Sequence, residues 1–131
     1  MKEFNKKFEE IEKSARERYI PVILDDSKEE LLQLVKVVQP KRILEIGTAI
    51  GYSGSLMLLE CKNAILDTIE LLEERQKEAA LNFEMFGVKE RVNSYLGDAM
   101  EVLPKVIKNN TYDLVFIDGP KSKYLAYLNL V

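Results

Sequence analysis

A short apolar run followed by closely spaced glycines, within residues 42–55, constrains the fold of this chain more than any other stretch. Ile43, Leu44 and Ile46 form a run typical of a strand buried on both faces. Helical spacing of apolar residues resumes at Leu56, so the order predicts a strand, a glycine loop and a helix. Glycines let backbone approach a ligand where a Cβ atom would clash, and a helix start presents unpaired N–H groups. A small polar cofactor is the first hypothesis.

The spacing of the glycines indicates which cofactor. Gly47, Gly51 and Gly54 follow the pattern G-x-x-x-G-x-x-G, whereas dinucleotide-binding folds use G-x-G-x-x-G. An acid, Glu45, stands shortly before the first glycine, and a second acid, Glu70, lies 19 residues after Gly51. An acid about 20 residues beyond such a loop is expected to hold the hydroxyls of a ribose. These features disfavour NAD and fit S-adenosylmethionine.

The composition limits the partners and the chemistry. The 131 residues, of which 47% are hydrophobic, fit one domain over 1–131 with a real core. The net charge of −3 gives no overall field that favours nucleic acid, so an RNA contact would need a local basic patch. The sequence has no His, which leaves carboxylates and Lys for acid–base and metal chemistry.

Cysteine content and terminal composition indicate the compartment. Cys61 is the single cysteine, which excludes an internal disulfide, and its place after two leucines favours a core position over a reactive thiol. Residues 1–13 are too charged for a signal peptide, and no apolar run approaches the roughly 20 residues of a membrane span. We therefore expect a cytoplasmic protein with no membrane contact.

Strand and helix patterns alternate along the chain. Ser27 and Glu30 form a capping box at the start of the second helix, and Pro104 is expected to break or fray a later one. The expected elements are a helix over 3–18, an extended segment over 19–24, a helix from about 27 that ends before Pro40, the strand and helix around the glycine loop, strands over 64–70, 92–96 and 113–117, a helix over 72–86 and a helix after Asp98. Parallel strands joined by helices predict a doubly wound α/β sheet.

The amphipathic first helix, over 3–18, has two interpretations. Its charges suit a solvated face, which is the simpler one. A cap over the cofactor pocket or a dimer contact is the functional alternative.

Polar residues follow each predicted strand. Because ligands of open parallel sheets bind beyond the carboxyl ends of the strands, these residues should converge on one edge. Any one of them alone would be an ordinary turn or helix cap. We call them the four strand-end residues: Gly47, Glu70, Asp98 and Asp118.

With these residues in place, the chain resembles the class I S-adenosylmethionine methyltransferases, and among them the metal-dependent O-methyltransferases of the catechol and caffeoyl-CoA type. The matching motifs are Ile-Leu-Glu-Ile-Gly-Thr-Ala-Ile-Gly-Tyr-Ser, Thr-Ile-Glu, Gly-Asp-Ala and Phe-Ile-Asp-Gly-Pro-Lys. The segment Ile20–Ile23 extends the resemblance to bacterial tRNA 5-hydroxyuridine methyltransferases. The family implies a Rossmann-like sheet with strand order 3-2-1-4.

The resemblance also implies roles for single residues. It places Gly47 and Ser53 at the methionine end of the cofactor, Glu70 on the ribose hydroxyls, and Asp98 and Ala99 beside the adenine, with Ile23, Glu45 and Asp118 as further cofactor-binding residues. Asp118 would also be a ligand of Mg²⁺ or a similar divalent cation, and Lys121 would be the catalytic base. An Mg²⁺ ion acidifies a bound hydroxyl, and a nearby Lys can take its proton. The alternative for Lys121 is a solvated helix start.

The sequence departs from the family in two ways. Gly119-Pro120 stands where relatives carry small residues, and Pro120 stiffens that loop. The later strands, and the Asp-Asn pair that completes the metal site, have no counterpart, so we expect a fragment or truncated form of the family fold. The strand over 113–117 would then be a sticky edge, and we expect a homodimer or a less stable chain.

Three functional hypotheses follow. The first is a metal-assisted O-methyltransferase acting on 5-hydroxyuridine in tRNA, with small catechol-like substrates as the alternative. The second is an inactive module that binds the cofactor without turnover. The third, an oxidoreductase domain with a nucleotide cofactor, is disfavoured by the glycine spacing.

Overall fold

The computed structural model describes residues 2–23, 25–108 and 110–118. The elements are α1 (Asn5–Glu17), α2 (Asp25–Val38), β1 (Arg42–Ile46), α3 (Tyr52–Glu60), β2 (Ile65–Glu70), α4 (Glu73–Met85), β3 (Val92–Leu96), α5 (Ala99–Ile107) and β4 (Leu114–Ile117), with short 3₁₀ turns at Lys2–Phe4 and Lys89–Arg91. The predicted alternation of strands and helices is confirmed.

The four strands form one parallel sheet in the order β3-β2-β1-β4. This is the predicted order, so the Rossmann-like α/β fold is confirmed. β1 lies inside the sheet, where Ile46 pairs with Ile69 of β2 and with Ile117 of β4. The carboxyl ends of these strands therefore meet at one edge.

Helices cover both faces of the sheet, which explains why the strands are apolar on both sides. On one face, Ile43 and Leu66 pack with side chains from α1, α2, α3 and α4. On the other, Leu44, Ile46 and Ile69 pack against α5. Cys61 belongs to the first cluster and is buried, as predicted.

Helix α1 is docked on the domain by aromatic and charged contacts. The rings of Phe8 and Phe86 stack with centroids 4.4 Å apart, and Phe8 also meets Tyr52 edge-on at 5.6 Å. Just after α1, the Arg18 guanidinium donates to both carboxylate oxygens of Glu78, at 2.8 and 2.6 Å. The residues that follow, beginning with Ile20, are thereby held beside the carboxyl ends of the strands. Among the described helices, none combines the length and apolar character needed to cross a bilayer.

Three predicted boundaries are wrong. Helix α2 begins at Asp25, so Ser27 lies inside its first turn instead of capping it; acidic residue types are themselves favoured at a helix N-terminus. Helix α3 begins at Tyr52, before Leu56, and includes Gly54, where the helix packs closely on the sheet. Helix α5 continues through Pro104, because the buried side chains on either side hold it against the sheet.

Candidate active site

A cavity of about 340 Å³ opens at the carboxyl ends of the strands. The four strand-end residues all line it, although they come from separate loops. This volume lies at the lower end of the range typical of small-molecule sites. The structure therefore brings together the residues that the sequence grouped by topology.

The Glu70 carboxylate accepts hydrogen bonds from two loops that line the cavity. One carboxylate oxygen accepts a hydrogen bond from the Ala49 backbone N–H at 2.7 Å, and the other accepts from the Leu72 N–H at 2.9 Å. Ala49 has a positive φ of 50°, so the carboxylate holds the glycine loop in a conformation that a side chain disfavours. Each carboxylate oxygen retains a lone pair for a further donor.

Gly47 and Asp118 form the wall where β1 and β4 end. The Gly47 N–H donates to the Ile69 carbonyl at 2.9 Å, and the Asp118 N–H donates to the Ile46 carbonyl at 2.8 Å. Gly47 has φ +98°, and a Cβ atom there would collide with the backbone carbonyl of Asp118. Although residue 118 is largely open to solvent, partial removal of its carboxyl from water raises the pKa of Asp118. Glycine is required at position 47 for both conformation and space.

Asp98 and Ala99 also line the cavity. Asp98 is the N-cap of α5, and one of its carboxylate oxygens accepts from the Met100 N–H at 2.9 Å. Before it, the Gly97 N–H donates to the Glu70 carbonyl at 2.9 Å, which fixes this loop beside β2. Asp98 thus serves as a cap and as a cavity residue at once.

Ile23, Ser53 and Glu45 do not line this cavity. Ile23 and Ser53 line a small crevice beside it, and Ile23 also lines a groove of about 390 Å³. Asp118 borders all three spaces. Glu45 is fully buried, where it accepts hydrogen bonds from the Ser53 hydroxyl at 2.5 Å and the Thr68 hydroxyl at 2.7 Å.

Burial raises the pKa of Glu45 to about 7. The negative charges of Asp118 and Glu70 also raise this pKa, whereas the hydrogen bonds from Ser53 and Thr68 lower it. The folded protein therefore holds a proton on Glu45 that the unfolded chain has released between about pH 4.5 and 7.

We expect this carboxyl to lower the free energy of unfolding as pH rises through that window, by about 1.4 kcal/mol per pH unit at the steepest point. Denaturant unfolding at several pH values measures this slope. In Glu45→Gln the contribution should vanish, and an unchanged slope in that variant would contradict the assignment.

The sequence did not single out several residues of the cavity wall. They are Pro21, Ala49, Leu71, Leu72 and Arg75. The two leucines carried a sequence signal, because they are consecutive and directly follow Glu70. In the structure they are 64% and 51% exposed. Arg75 lies in the first turn of α4 and gave no such signal.

The predicted metal site is incomplete in the part of the chain that the structure describes. There, no three His, Cys, Asp or Glu side chains come together, so Asp118 stands as a single candidate ligand. Divalent cations such as Mg²⁺ take six or more oxygen ligands. Lys121, the predicted base, lies outside the described residues.

Comparison with known proteins identifies the family. The model of the O-methyltransferase family matches residues 3–131. The catechol O-methyltransferase of Niastella koreensis is 33% identical over 97 residues, which are 72% of this chain and 44% of that protein. The O-methyltransferase TomG from Streptomyces achromogenes, solved with SAM, superposes with a TM-score of 0.81 at 28% identity, covering 94% of this chain and 57% of that one.

A second solved structure, the O-methyltransferase from Bacillus cereus in complex with SAH, gives a TM-score of 0.83 at 26% identity, over 96% of this chain and 60% of that one. The chain thus spans about half the length of the relatives it matches. The family match covers the glycine loop and all four strand-end residues. The chain belongs to the O-methyltransferase family.

Proposed function

We propose that this protein is an S-adenosylmethionine-dependent O-methyltransferase whose acceptor is a small hydroxylated aromatic compound of the catechol type. The observation that carries the proposal is the cavity in which the four strand-end residues lie together. Family membership and relatives solved with SAM and SAH support the cofactor. The catechol O-methyltransferases among the relatives support the acceptor.

The polar groups of the cavity suit an adenosyl ligand. Each oxygen of Glu70 can accept from a ribose hydroxyl in addition to its backbone donor. The second carboxylate oxygen of Asp98 suits the amino group of adenine, and Leu72 and Ala99 add apolar surface to the same cavity. The methionine part would then lie toward Gly47 and Asp118.

The adjoining groove suits the acceptor. It has a volume of about 390 Å³, meets the cofactor cavity at Asp118, and takes apolar walls from Val22, Ile23, Phe116 and Ile117. A flat aromatic ring fits such walls, and a hydroxyl directed at Asp118 would approach the methyl group. The groove therefore favours a small aromatic acceptor.

The reaction requires mainly alignment. The acceptor oxygen attacks the methyl carbon, and as the new carbon–oxygen bond forms, the carbon–sulfur bond breaks and its electron pair stays on sulfur. The cationic sulfonium becomes a neutral thioether, and the acceptor hydroxyl loses its proton to a base. Holding both reactants in line supplies most of the rate enhancement. A bound divalent cation would acidify the acceptor hydroxyl, with Asp118 as its described candidate ligand.

Other assignments stay predictions. 5-Hydroxyuridine in tRNA as the acceptor rests on the resemblance of segment Ile20–Ile23. The Mg²⁺ ion, Lys121 as the base, the homodimer and a cytoplasmic location rest on sequence alone. The oxidoreductase hypothesis is not supported, because the chain belongs to a methyltransferase family.

Calorimetry with S-adenosylhomocysteine tests the cofactor, and methyl transfer from labelled S-adenosylmethionine tests the acceptor. The acceptors are catechol and tRNA that contains 5-hydroxyuridine, each with Mg²⁺ and with a chelator. We expect saturable binding and methylated catechol. Methylation of the tRNA would reassign the acceptor to RNA, and binding without turnover would indicate a cofactor-binding module. Absence of binding would contradict the proposal.

A further inference from the structure

The short apolar segment between α1 and α2 borders every space around Asp118. We call residues 20–23 the entry segment. Pro21 lines the cofactor cavity, the small crevice and the groove, and Val22 and Ile23 line the crevice and the groove. The position of the entry segment therefore sets the shape of both ligand spaces.

The turn that leads from α1 into the entry segment has an unfavourable backbone conformation. Tyr19 has φ +56°, a left-handed conformation that favours glycine. The Tyr19 N–H donates to the Arg16 carbonyl at 3.3 Å, and the Ile20 N–H donates to the Ala15 carbonyl at 2.8 Å. Because the Tyr19 side chain is 92% exposed, its own packing does little to offset the cost. Contacts of neighbouring residues must hold this turn in place.

Arg18 makes those contacts. Its Nε donates to the Ser14 hydroxyl at 3.1 Å, inside α1. Its two terminal nitrogens donate to the two carboxylate oxygens of Glu78 on α4, which is the strongest geometry for an arginine–carboxylate pair. One side chain thus fastens the end of α1 both to its own helix and to α4.

The Arg18–Glu78 pair connects two segments that line the cofactor cavity. Arg18 lies three residues before Pro21, and Glu78 lies three residues after Arg75; Pro21 and Arg75 both line the cavity. Neither Arg18 nor Glu78 lines it. The pair can therefore act on a bound ligand only through the segments that it joins.

We propose that Arg18 and Glu78 are positioning residues: by joining α1 to α4 they hold the entry segment beside the bound cofactor and slow its release, without touching it. This inference rests on the proposed function for the identity of the ligand. Since the entry segment also lines the groove, the same pair should lower the KM of the acceptor.

The rate of S-adenosylhomocysteine dissociation, measured by surface plasmon resonance, tests the pair. The two side chains are 45% and 32% exposed, so water weakens their attraction. We expect Arg18→Ala to raise the dissociation rate about threefold to fivefold, the upper range for exposed ion pairs. Lys77→Ala is the matched control, because it removes an exposed pair with Glu73 on the same helix, outside the cavity. Its dissociation rate should stay within about 1.5-fold of the parent.

The dependence on salt separates positioning from general stability. Salt screens exposed ion pairs, so raising it from about 50 to about 500 mM should speed dissociation from the parent and from Lys77→Ala. Arg18→Ala should release the ligand at one fast rate at both salt concentrations. A pair that only stabilised the fold would lower the melting temperature of the ligand-free protein and leave the dissociation rate unchanged.

Reversing both charges tests whether the contact itself matters. Arg18→Glu brings a second carboxylate to Glu78 and should speed release more than Arg18→Ala does. Adding Glu78→Arg restores opposite charges, so the double variant should release the ligand more slowly than Arg18→Glu alone. Melting curves establish that each variant is folded.

The outcomes separate this inference from the proposed function. A parent chain that fails to bind S-adenosylhomocysteine overturns the proposed function itself. A parent that binds, with Arg18→Ala matching the Lys77→Ala control, overturns the role of the pair alone. A double reversal no slower than Arg18→Glu, or an Arg18→Ala variant with the salt dependence of the parent, overturns it equally.

Discussion

Glu70→Ala should weaken S-adenosylhomocysteine binding by about 100-fold or more. The change removes the predicted acceptor of the ribose hydroxyls, and charged hydrogen bonds of this kind contribute about 1.5–3 kcal/mol each. It also leaves the Ala49 and Leu72 N–H groups without the carboxylate that holds their loops. Isothermal titration calorimetry measures the affinity, and a melting curve establishes that the variant is folded.

Two further variants sharpen this result. Glu84→Ala removes an exposed carboxylate near the end of α4, outside the cavity, so its affinity should equal that of the parent. Glu70→Gln keeps the size of the side chain but replaces one acceptor by a donor, so one of the two backbone N–H groups loses its partner. An intermediate affinity is expected. Glu70→Ala binding as tightly as Glu84→Ala would show that the ribose does not lie at Glu70.

Gly47→Ala should have two effects: it should destabilise the fold and close the cavity. Its φ of +98° disfavours any side chain, and the added Cβ atom would collide with the Asp118 carbonyl, which is backbone and cannot rotate away. Relief requires β1 and the end of β4 to separate. We expect the free energy of unfolding to fall by about 3–5 kcal/mol, with binding lost. Denaturant unfolding and calorimetry measure the two effects.

Gly87→Ala is the matched control, because it separates the loss of stability due to backbone strain from the loss due to a steric collision. Gly87 also has a positive φ, of 74°, yet a Cβ atom there would meet nothing within 4 Å. This variant should lose about 1 kcal/mol from strain alone and bind normally. Equal losses in the two variants would mean that the contact between Gly47 and Asp118 does not constrain the site.

The sequence predicted the sheet well because turn residues separate its short strands from the helices. β3 matches its predicted bounds, and the open parallel order follows from the alternation with helices. The errors occur where tertiary packing overrides a local signal. Pro104 stays inside α5 because Leu103 and Val106 are buried against the sheet. Gly54 belongs to α3 because close packing on β2 favours a residue without a side chain.

The candidate site was predictable in position but less so in detail. Topology alone placed the strand ends on one edge, which brought Glu70, Asp98 and Asp118 to one cavity. The inward direction of Glu45 was not predictable, because its partners Ser53 and Thr68 come from other elements, 8 and 23 residues away. Contacts of that range depend on register and helix packing, which no local pattern encodes.

Titration of isotope-labelled protein with S-adenosylhomocysteine, followed by backbone amide NMR, shows where on the molecule the ligand binds. We expect saturable shifts at Gly47, Ala49, Leu72 and Asp98, at the carboxyl ends of the strands, with little change at Lys89, which follows the end of α4. Shifts centred away from that edge, or none at millimolar ligand, would contradict this expectation.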